Sequence, residues 1–373
     1  MQHLLLTVVC ACLLSLWPPP PALTPRLSVT IDDRGVTLDF PHSLTFAAHV
    51  AAPAGVERVT LEYGVDQLTC GEVTARAIPP VTPGAAAEVE WTWDMRQSGA
   101  PPPGAQIWYR WRVRDTDGAE HVSPEQRVTW LDQQHRWRQV SSGAMTLHWY
   151  EGPQAFAEEL LAASAGALAR LEDEIGLRPG APVDLYIYHS MEDLRAAVLY
   201  EPGWTGGLAY ASHNIVIMGI HPDNVAWGKR ITAHELTHVL VGHMAFSCLG
   251  SIPTWLNEGI AVYGEGGPEP AQAQQLEDAI RADRLLSVRA LSGNFAEDAD
   301  RANLSYTQSY SLVRFLIDEY GRERLLEVFG RLRRGATIDD ALEDVYGFGV
   351  EGLEDRWRAA VGARLRQEAG AAL

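Results

Sequence analysis

One helical segment constrains this chain more than any other. Residues 234–238 read His-Glu-Leu-Thr-His. Residues four apart on an α-helix lie on one face, so His234 and His238 can bind one metal ion together. Glu235 would then project beside the ion, where its carboxylate can accept a proton from water. Apolar residues at 231 and 239–241 give this helix a side that packs against a core, so we predict a buried helix that carries a metal site.

A second helical pattern begins at Pro253 and places Glu258 among apolar residues. These apolar residues are Trp255, Leu256, Ile260 and Val262. A carboxylate in such surroundings needs a partner, and a divalent cation held by two neutral imidazoles would make its burial tolerable. Glu258 is thus the predicted third ligand. The alternative is an ordinary amphipathic helix pair in which this glutamate is incidental.

The motif His-Glu-x-x-His, followed by Asn257-Glu258-Gly259 on a second helix, resembles the gluzincin metallopeptidases. That group includes thermolysin and a large family of aminopeptidases. The resemblance extends over about residues 145–365, although only the two motifs are specific. It implies that one zinc ion (Zn²⁺) per chain is bound by His234, His238 and Glu258.

The same resemblance implies roles for further side chains. Glu235 is the general base for hydrolysis of a peptide bond by water that zinc activates. Glu265, two turns further along the second helix, supports a histidine ligand, with a solvated helix end as the alternative. Residues 305–310, Ser-Tyr-Thr-Gln-Ser-Tyr, are similar to a stretch of small bacterial peptidase domains. By that similarity Tyr306, with Tyr310 in reserve, donates a hydrogen bond to the oxyanion; core packing is the alternative for both.

Gly242 and His243 come close to a longer motif, His-Glu-x-x-His-x-x-Gly-x-x-His, which supplies a third histidine in the metzincins. The spacing excludes that motif. The glycine would have to be at 241 and the histidine at 244, and these positions are Val241 and Met244. His243 is therefore predicted to lie on the surface or to cap the helix.

The segment before the motif helix predicts a mixed sheet. We expect a helix from Ala155 to Ile175, a strand over 183–188, a short helix capped by Ser190, and strands over 206–210 and 214–218. This order resembles the sheet of zincins, in which an edge strand pairs with extended peptide substrate. The resemblance places the main chain beside the cleft at Gly206, Gly207, Leu208 and Ala209. A bulge is the alternative.

Short segments that alternate apolar and polar residues predict an all-β domain over residues 26–131. They are Leu27–Ile31, Val36–Phe40, Val59–Tyr63, Val89–Trp93 and Ile107–Arg114, with turn residues between them. Their order resembles immunoglobulin or fibronectin type III domains and implies a β-sandwich. The predicted fold class is therefore multidomain. The sandwich is followed by a linker with a leading strand over 132–152, and then by an α+β zincin-like metallopeptidase domain over 153–373 with a helical C-terminal half.

The apolar run from Leu4 to Trp17 is short for a spanning helix and suits the core of a signal peptide. We predict that residues 1–25 are a signal peptide and that the protein is secreted or extracytoplasmic. An uncleaved N-terminal membrane anchor is the alternative. Cys70 and Cys248 remain in the mature chain, where two free thiols are favoured over an interdomain bridge.

A net charge of −18 without a basic cluster argues against nucleic acid and anionic membrane surfaces as partners. A peptide or protein substrate is the predicted partner, while the partner of the sandwich is unknown. An alternative function is an exported binding or scaffold protein whose zinc site is catalytically weak or structural. A structural site usually has a fourth protein ligand, and Cys248 is the nearby candidate.

Overall fold

The computed structural model describes residues 28–200, 206–295 and 298–371. The leader predicted over 1–25 lies outside the described residues. Strands dominate as far as residue 149 and helices dominate from residue 225 onward, which confirms a chain with a β-rich N-terminal region and a helical C-terminal half. None of the helices in these ranges is long and apolar enough to cross a membrane.

In the N-terminal region, seven of the described strands form one antiparallel sheet. They are β1 (Thr30–Asp39), β2 (Ser43–Val65), β3 (Ala75–Ala77), β4 (Gly84–Asp94), β5 (Ala105–Asp115), β6 (Glu120–Val122) and β7 (Gln126–Trp130). A short helix, α1 (Met95–Ser98), follows β4. A turn at Asp115–Gly118 joins β5 to β6, and the Gly118 N–H donates to the Asp115 carbonyl over 2.9 Å.

The long strand β2 connects the whole sheet. Residues 43–51 pair with β1 and β4, whereas residues 56–65 pair with β5, and the register shifts between these two parts. Side chains from both parts contribute to one apolar core, for example Phe46 and Leu61 with Trp111. The strands are therefore hydrogen-bonded into a single sheet through β2, and the two-sheet sandwich stays a prediction.

A bulge replaces the first predicted turn. We expected Leu27–Ile31 and Val36–Phe40 to be separate strands, and Leu27 lies outside the described residues. The structure instead has one strand, β1, whose register shifts between Asp33 and Gly35. The Gly35 N–H donates to the Asp33 carboxylate over 3.2 Å, and Gly35 has a φ of +84°. Glycine adopts this conformation without steric penalty, so the strand absorbs the extra residue and stays paired with β2.

A second sheet follows the N-terminal sheet in the sequence. Its strands are β8 (Arg138–Ser142), β9 (Met145–Trp149), β10 (Val183–Tyr188), β11 (Gly207–Tyr210) and β12 (Ile215–Gly219). Their order is β11-β12-β10-β9-β8, in which β10 is parallel to both neighbours and β11 is an antiparallel edge strand. The helices α2 (Gln154–Glu174) and α3 (Met191–Ala197) lie between these strands in the sequence. As predicted, Ser190 caps α3 by accepting a hydrogen bond from the Asp193 N–H.

Helices form the rest of the described chain. They are α4 (Val225–Ala245), α5 (Thr254–Gly264), α6 (Pro270–Arg281), α7 (Ala299–Tyr320), α8 (Arg322–Arg333), α9 (Ile338–Tyr346) and α10 (Val350–Ala371). Trp255, Leu256 and Ile260 of α5 are fully buried, and α5 lies closely against α7. A side chain at Gly259 would collide with the Ser309 carbonyl, so glycine after Glu258 is what permits this approach.

The prediction of two free thiols was wrong. Cys70 and Cys248 form a disulfide whose Cα atoms lie 5.7 Å apart and which spans 178 residues of sequence. Close to Cys70, the Leu68 N–H donates to the Ser212 carbonyl over 2.7 Å, which holds the segment after β2 against the turn between β11 and β12. The disulfide therefore links the β-rich N-terminal region to the segment that follows α4.

Candidate active site

Helix α4 brings the two motif histidines to one face. The ring centroids of His234 and His238 are 4.8 Å apart, with an angle of 80° between the ring planes. The other sides of α4 are buried through Leu236, Val239 and Leu240, which pack with the second sheet, α2 and the helical core. Packing on those sides fixes the helix, so the two imidazoles are directed to the same point.

Three possible ligand atoms converge at this point. The Nε2 atoms of His234 and His238 lie 3.3 and 3.4 Å from Oε2 of Glu258, and all three ligand atoms are within 4.8 Å of one another. Glu258 Oε2 is buried and makes no hydrogen bond within the described chain. A buried carboxylate oxygen facing two imidazole nitrogens fits a divalent cation that accepts nitrogen and oxygen ligands.

The charges around the site favour a cation. Burial lowers the pKa of His234, but the carboxylates of Glu258 and Glu265 outweigh this effect and raise the pKa to about 10. Burial raises the pKa of Glu258, but the imidazoles of His238 and His234 outweigh this effect and hold the pKa well below its ordinary value. Each group is thus stabilised in its charged form by the others, and positive charge is favoured between them.

Glu235 is buried next to the three ligand atoms, and β11 lies close to it. Burial raises the pKa of its carboxyl group, which makes it a stronger base. A side chain at Gly207 would collide with Cγ of Glu235, so glycine at this position allows the edge strand to approach the carboxylate.

Glu265 connects the site to an arginine. Its Oε1 lies 2.6 Å from Nδ1 of His234, and its Oε2 accepts a hydrogen bond from Arg230 over 2.6 Å. The side chain is only 14% exposed, so it is not a solvated helix end. The Arg230 guanidinium also donates to the Gly267 carbonyl over 3.3 Å, which holds the end of α5 against α4.

The two candidate tyrosines lie in different places. The ring of Tyr306 is 6.1 Å from that of His234 and 5.1 Å from that of Phe295, and it lines the same cavity as the histidines. Burial, with the nearby carboxylate of Glu258, raises its pKa, so the hydroxyl stays protonated as a hydrogen-bond donor. Tyr310 instead lines a separate cavity between α6, α7 and α10.

An open cleft of about 840 Å³ contains these groups. Gly206, Gly207, Leu208 and Ala209 form one wall of the cleft, as part of the edge strand β11 and the residue before it. Of the described strands, only β12 pairs with β11. The other edge of β11 is unpaired within the described chain, so its main-chain groups can pair with an extended chain.

Sequence analysis missed Trp227 and Arg230, which also line the cleft. They precede His234 by seven and four residues, so helical spacing places them on its face, and that spacing was the available signal. His243 is not among the three converging ligands. Its Nε2 lies 2.9 Å from the Ala211 carbonyl and its Nδ1 accepts a hydrogen bond from Gly180, so it connects the end of α4 to two loops.

An edge strand over a cleft, a helix that carries His-Glu-x-x-His and a second helix that carries a glutamate together define a zincin-like peptidase domain. The chain belongs to the peptidase MA superfamily, whose family model matches residues 163–363, more than half of the sequence. It is therefore a member of a superfamily of peptidases, which are hydrolases. Members of this superfamily are typically metal-dependent, and the convergence of His234, His238 and Glu258 provides a possible metal site.

Solved structures resemble this chain only distantly. An aminopeptidase N family protein from Idiomarina loihiensis is 10% identical, with 85% of this chain and 72% of that chain covered and a TM-score of 0.41. OgpA from Akkermansia muciniphila is 8% identical, with 28% of this chain covered and a TM-score of 0.23, and the chain covers only 27% of the length of OgpA. These likenesses are too weak to carry an argument about fold or function. No curated protein matches the sequence.

Proposed function

We propose that this protein is a zinc-dependent peptidase that hydrolyses a peptide bond in the cleft beneath β11. The observation that carries the proposal is the convergence of one ligand atom each from His234, His238 and Glu258 within 4.8 Å, beside the buried carboxylate of Glu235. Two nitrogen ligands and one oxygen ligand suit zinc, and three protein ligands leave one position for water or substrate, as catalytic zinc sites do.

The disulfide removes the predicted fourth ligand of a structural zinc site. Cys248 was the nearby candidate, but its sulfur is bonded to that of Cys70. All three proposed ligands line an open cleft instead of an enclosed core. Zinc bound there would polarise the substrate carbonyl and make the attacking water more acidic.

Two side chains carry the proton and charge steps in this proposal. The Glu235 carboxylate accepts a proton from the attacking water and then donates it to the nitrogen of the leaving amine. The Tyr306 hydroxyl, from α7, donates a hydrogen bond to the oxygen that becomes negatively charged on the former carbonyl. Both groups line the cleft and are shielded from bulk water. Hydrogen bonds and charge interactions are stronger in such shielded surroundings than in water.

Further groups position the reaction. Glu265 accepts the Nδ1 hydrogen of His234, so that Nε2 of the imidazole is free to bind zinc, and Arg230 holds Glu265 in place. Main-chain groups of Gly206 to Ala209 pair with the substrate backbone as an added strand, which aligns the scissile bond below β11. In this proposal the protein binds its substrate mainly through the substrate backbone, and the substrate side chains contribute less.

The test measures metal content and peptide cleavage on the full chain, and it compares the wild type with the Glu235→Gln variant. Glu327→Gln, which changes an exposed carboxylate on α8, is the matched control. We expect about one zinc per chain in all three proteins and cleavage of a peptide library by the wild type and the control only. Zinc without cleavage in the wild type would favour the exported binding protein, and absence of zinc would overturn the proposal.

A further inference from the structure

Three exposed apolar side chains lie close in sequence to the two cysteines of the disulfide. Leu68 is 42% exposed, Val73 is 65% exposed and Leu249 is 80% exposed. Leu68 and Val73 lie two and three residues from Cys70, and Leu249 directly follows Cys248. We call these three residues the disulfide patch. Clustered apolar side chains on a soluble protein mark a surface that binds something, whereas scattered ones do not.

The disulfide patch is continuous with the cleft. The Leu68 N–H donates to the Ser212 carbonyl over 2.7 Å, and the residue before Ser212, Ala211, lines the cleft. On the other side of the disulfide, Ile252 lines the cleft three residues after Leu249. Leu68 is thus bonded to the residue next to a cleft-lining residue, and Leu249 lies three residues from another.

The direction of β11 leads toward this patch. The strand runs from Gly207 to Tyr210 along the wall of the cleft, and the chain then reaches Ser212, which is bonded to Leu68. A substrate paired with the outer edge of β11 must run along the same axis, with a rise of about 3.3 Å for each residue. A few residues beyond the end of the strand, such a substrate reaches the patch.

We propose that the disulfide patch binds apolar side chains of an unfolded polypeptide substrate, outside the cleft and on one side of the scissile bond. The proposal rests on the proposed peptidase function, and it assigns the N-terminal region a part in substrate selection. Leu68 and Val73 come from that region, whereas Leu249 comes from the segment after α4, and the disulfide holds the two segments together. Long apolar substrates are thereby distinguished from short peptides, which fill only the cleft.

The first experiment compares two synthetic peptides that share a cleavable core of about eight residues, enough to follow the strand through the cleft. The long peptide continues at both ends with segments that contain leucines. We expect Leu68→Ser/Leu249→Ser to lower kcat/KM for the long peptide roughly tenfold and to leave the short peptide unchanged. The control is Val122→Ser, which removes a similarly exposed side chain (43%) on β6 and should change neither value. The proposal is overturned if kcat/KM for the long peptide divided by kcat/KM for the short peptide is the same in the wild type and in the double variant.

A binding experiment separates this proposal from the peptidase proposal. The Glu235→Gln chain, with and without the two patch substitutions, is titrated against fluorescently labelled, reduced and carboxymethylated α-lactalbumin, an unfolded polypeptide. If the patch substitutions weaken binding of the unfolded polypeptide, the result supports substrate binding by the disulfide patch, even if the wild type cleaves no peptide. Equal binding, or none, overturns it. Sedimentation velocity gives the remaining outcome: a dimer that the patch substitutions dissociate would assign the patch to self-association and also overturn the proposal.

Discussion

The carboxylates of Glu62 and Glu258 are both shielded from solvent, and their surroundings differ in kind. Glu62 in β2 is fully buried and contacts three arginines, with Arg110 at 2.8 Å, Arg112 at 3.1 Å and Arg76 at 3.2 Å. Glu258 in α5 has a buried Oε2 without a hydrogen bond, facing two imidazole nitrogens. Both carboxyl groups have a lowered pKa.

The neighbouring groups distinguish a structural carboxylate from a proposed cation ligand. Glu62 receives its compensating charge from permanent cations of the chain, so its site is complete. Glu258 faces groups that are neutral at ordinary pH when isolated, and one of its oxygens lacks a donor. A lowered pKa alone does not separate the two cases, whereas the identity of the neighbouring groups does.

The same substitution, glutamate to glutamine, at Glu258 and at Glu62 tests whether the two sites differ. Glu258→Gln removes a proposed zinc ligand, and we expect zinc content to fall and peptide cleavage to drop by at least about a thousandfold. Glu62→Gln should keep both. Metal analysis and kcat/KM on one peptide measure the two effects. If Glu258→Gln retains zinc and cleaves normally, the two sites do not differ in the way proposed.

The tyrosines provide the next largest effect. Tyr306 shares the cleft with Glu258, whereas Tyr310 lies in another cavity. Loss of an oxyanion donor costs about 10²–10³ in kcat, so we expect that loss for Tyr306→Phe, with zinc content unchanged. Tyr310→Phe is the matched control and should change kcat by less than about twofold, since it touches no reacting group. The reverse order of the two kcat values would move the role to Tyr310.

A smaller effect is expected at the carboxylate that supports His234. Glu265→Gln keeps the shape but weakens the charged contact at Nδ1, which is 2.6 Å long in the wild type. Partners of ligand histidines contribute about 10- to 100-fold to metal affinity. Competition with a chromophoric chelator should show zinc affinity lowered by that factor, while the thermal midpoint of the zinc-free protein stays within a few degrees. An unchanged zinc affinity would leave Glu265 a purely structural contact with Arg230.

At the arginine-bound site the expected effect is on stability. The pKa of Glu62 is lowered from 4.5 to about 2, chiefly by the hydrogen bond from Arg112, with Arg110 contributing. The unfolded chain therefore binds the proton first, and the stabilisation present above pH 4.5 is lost as pH falls toward 2. Because the arginines are partly solvated, we expect Glu62→Gln to lower the free energy of unfolding by about 1–3 kcal/mol at pH 7.

Urea unfolding at pH 7 and near pH 3 checks this expectation. The two proteins should differ at pH 7, and the difference should shrink at the lower pH as Glu62 becomes protonated in the unfolded wild type. A difference that stays constant with pH would show that the charge of Glu62 does not stabilise the fold.

Local patterns predicted several geometric features of the candidate site. The spacing of His234 and His238 and the apolar face of α5 are properties of single helices, and the capping of α3 by Ser190 is a contact over three residues. These expectations agree with the structure because each depends on neighbours in the sequence.

Contacts between distant residues were not predicted. The 178-residue separation of Cys70 and Cys248 has no local signature, and the strand β8 lacks a clear alternation of apolar residues. Glu62 occupied a polar position in an alternating strand, which indicates an exposed side chain. It is buried because the register places Arg110 opposite it in β5, and Arg112 follows on the same face. Register depends on pairing across nearly fifty residues, which periodicity does not encode.

The smallest effect tests how complete the Glu62 site is. Arg76 is its most exposed partner, at 66%, and it comes from the short strand β3, whereas Arg110 and Arg112 come from the central strand β5. An exposed ion pair contributes about 0.2–1 kcal/mol, so Arg76→Ala should lower the free energy of unfolding by no more than that. Arg112→Ala is the comparison variant and should cost more, because Arg112 makes two hydrogen bonds to Glu62. If Arg76→Ala costs as much as Arg112→Ala in urea unfolding at pH 7, all three arginines are required for charge balance. A small cost would show that the two arginines of β5 suffice to balance the charge of Glu62, without the arginine of β3.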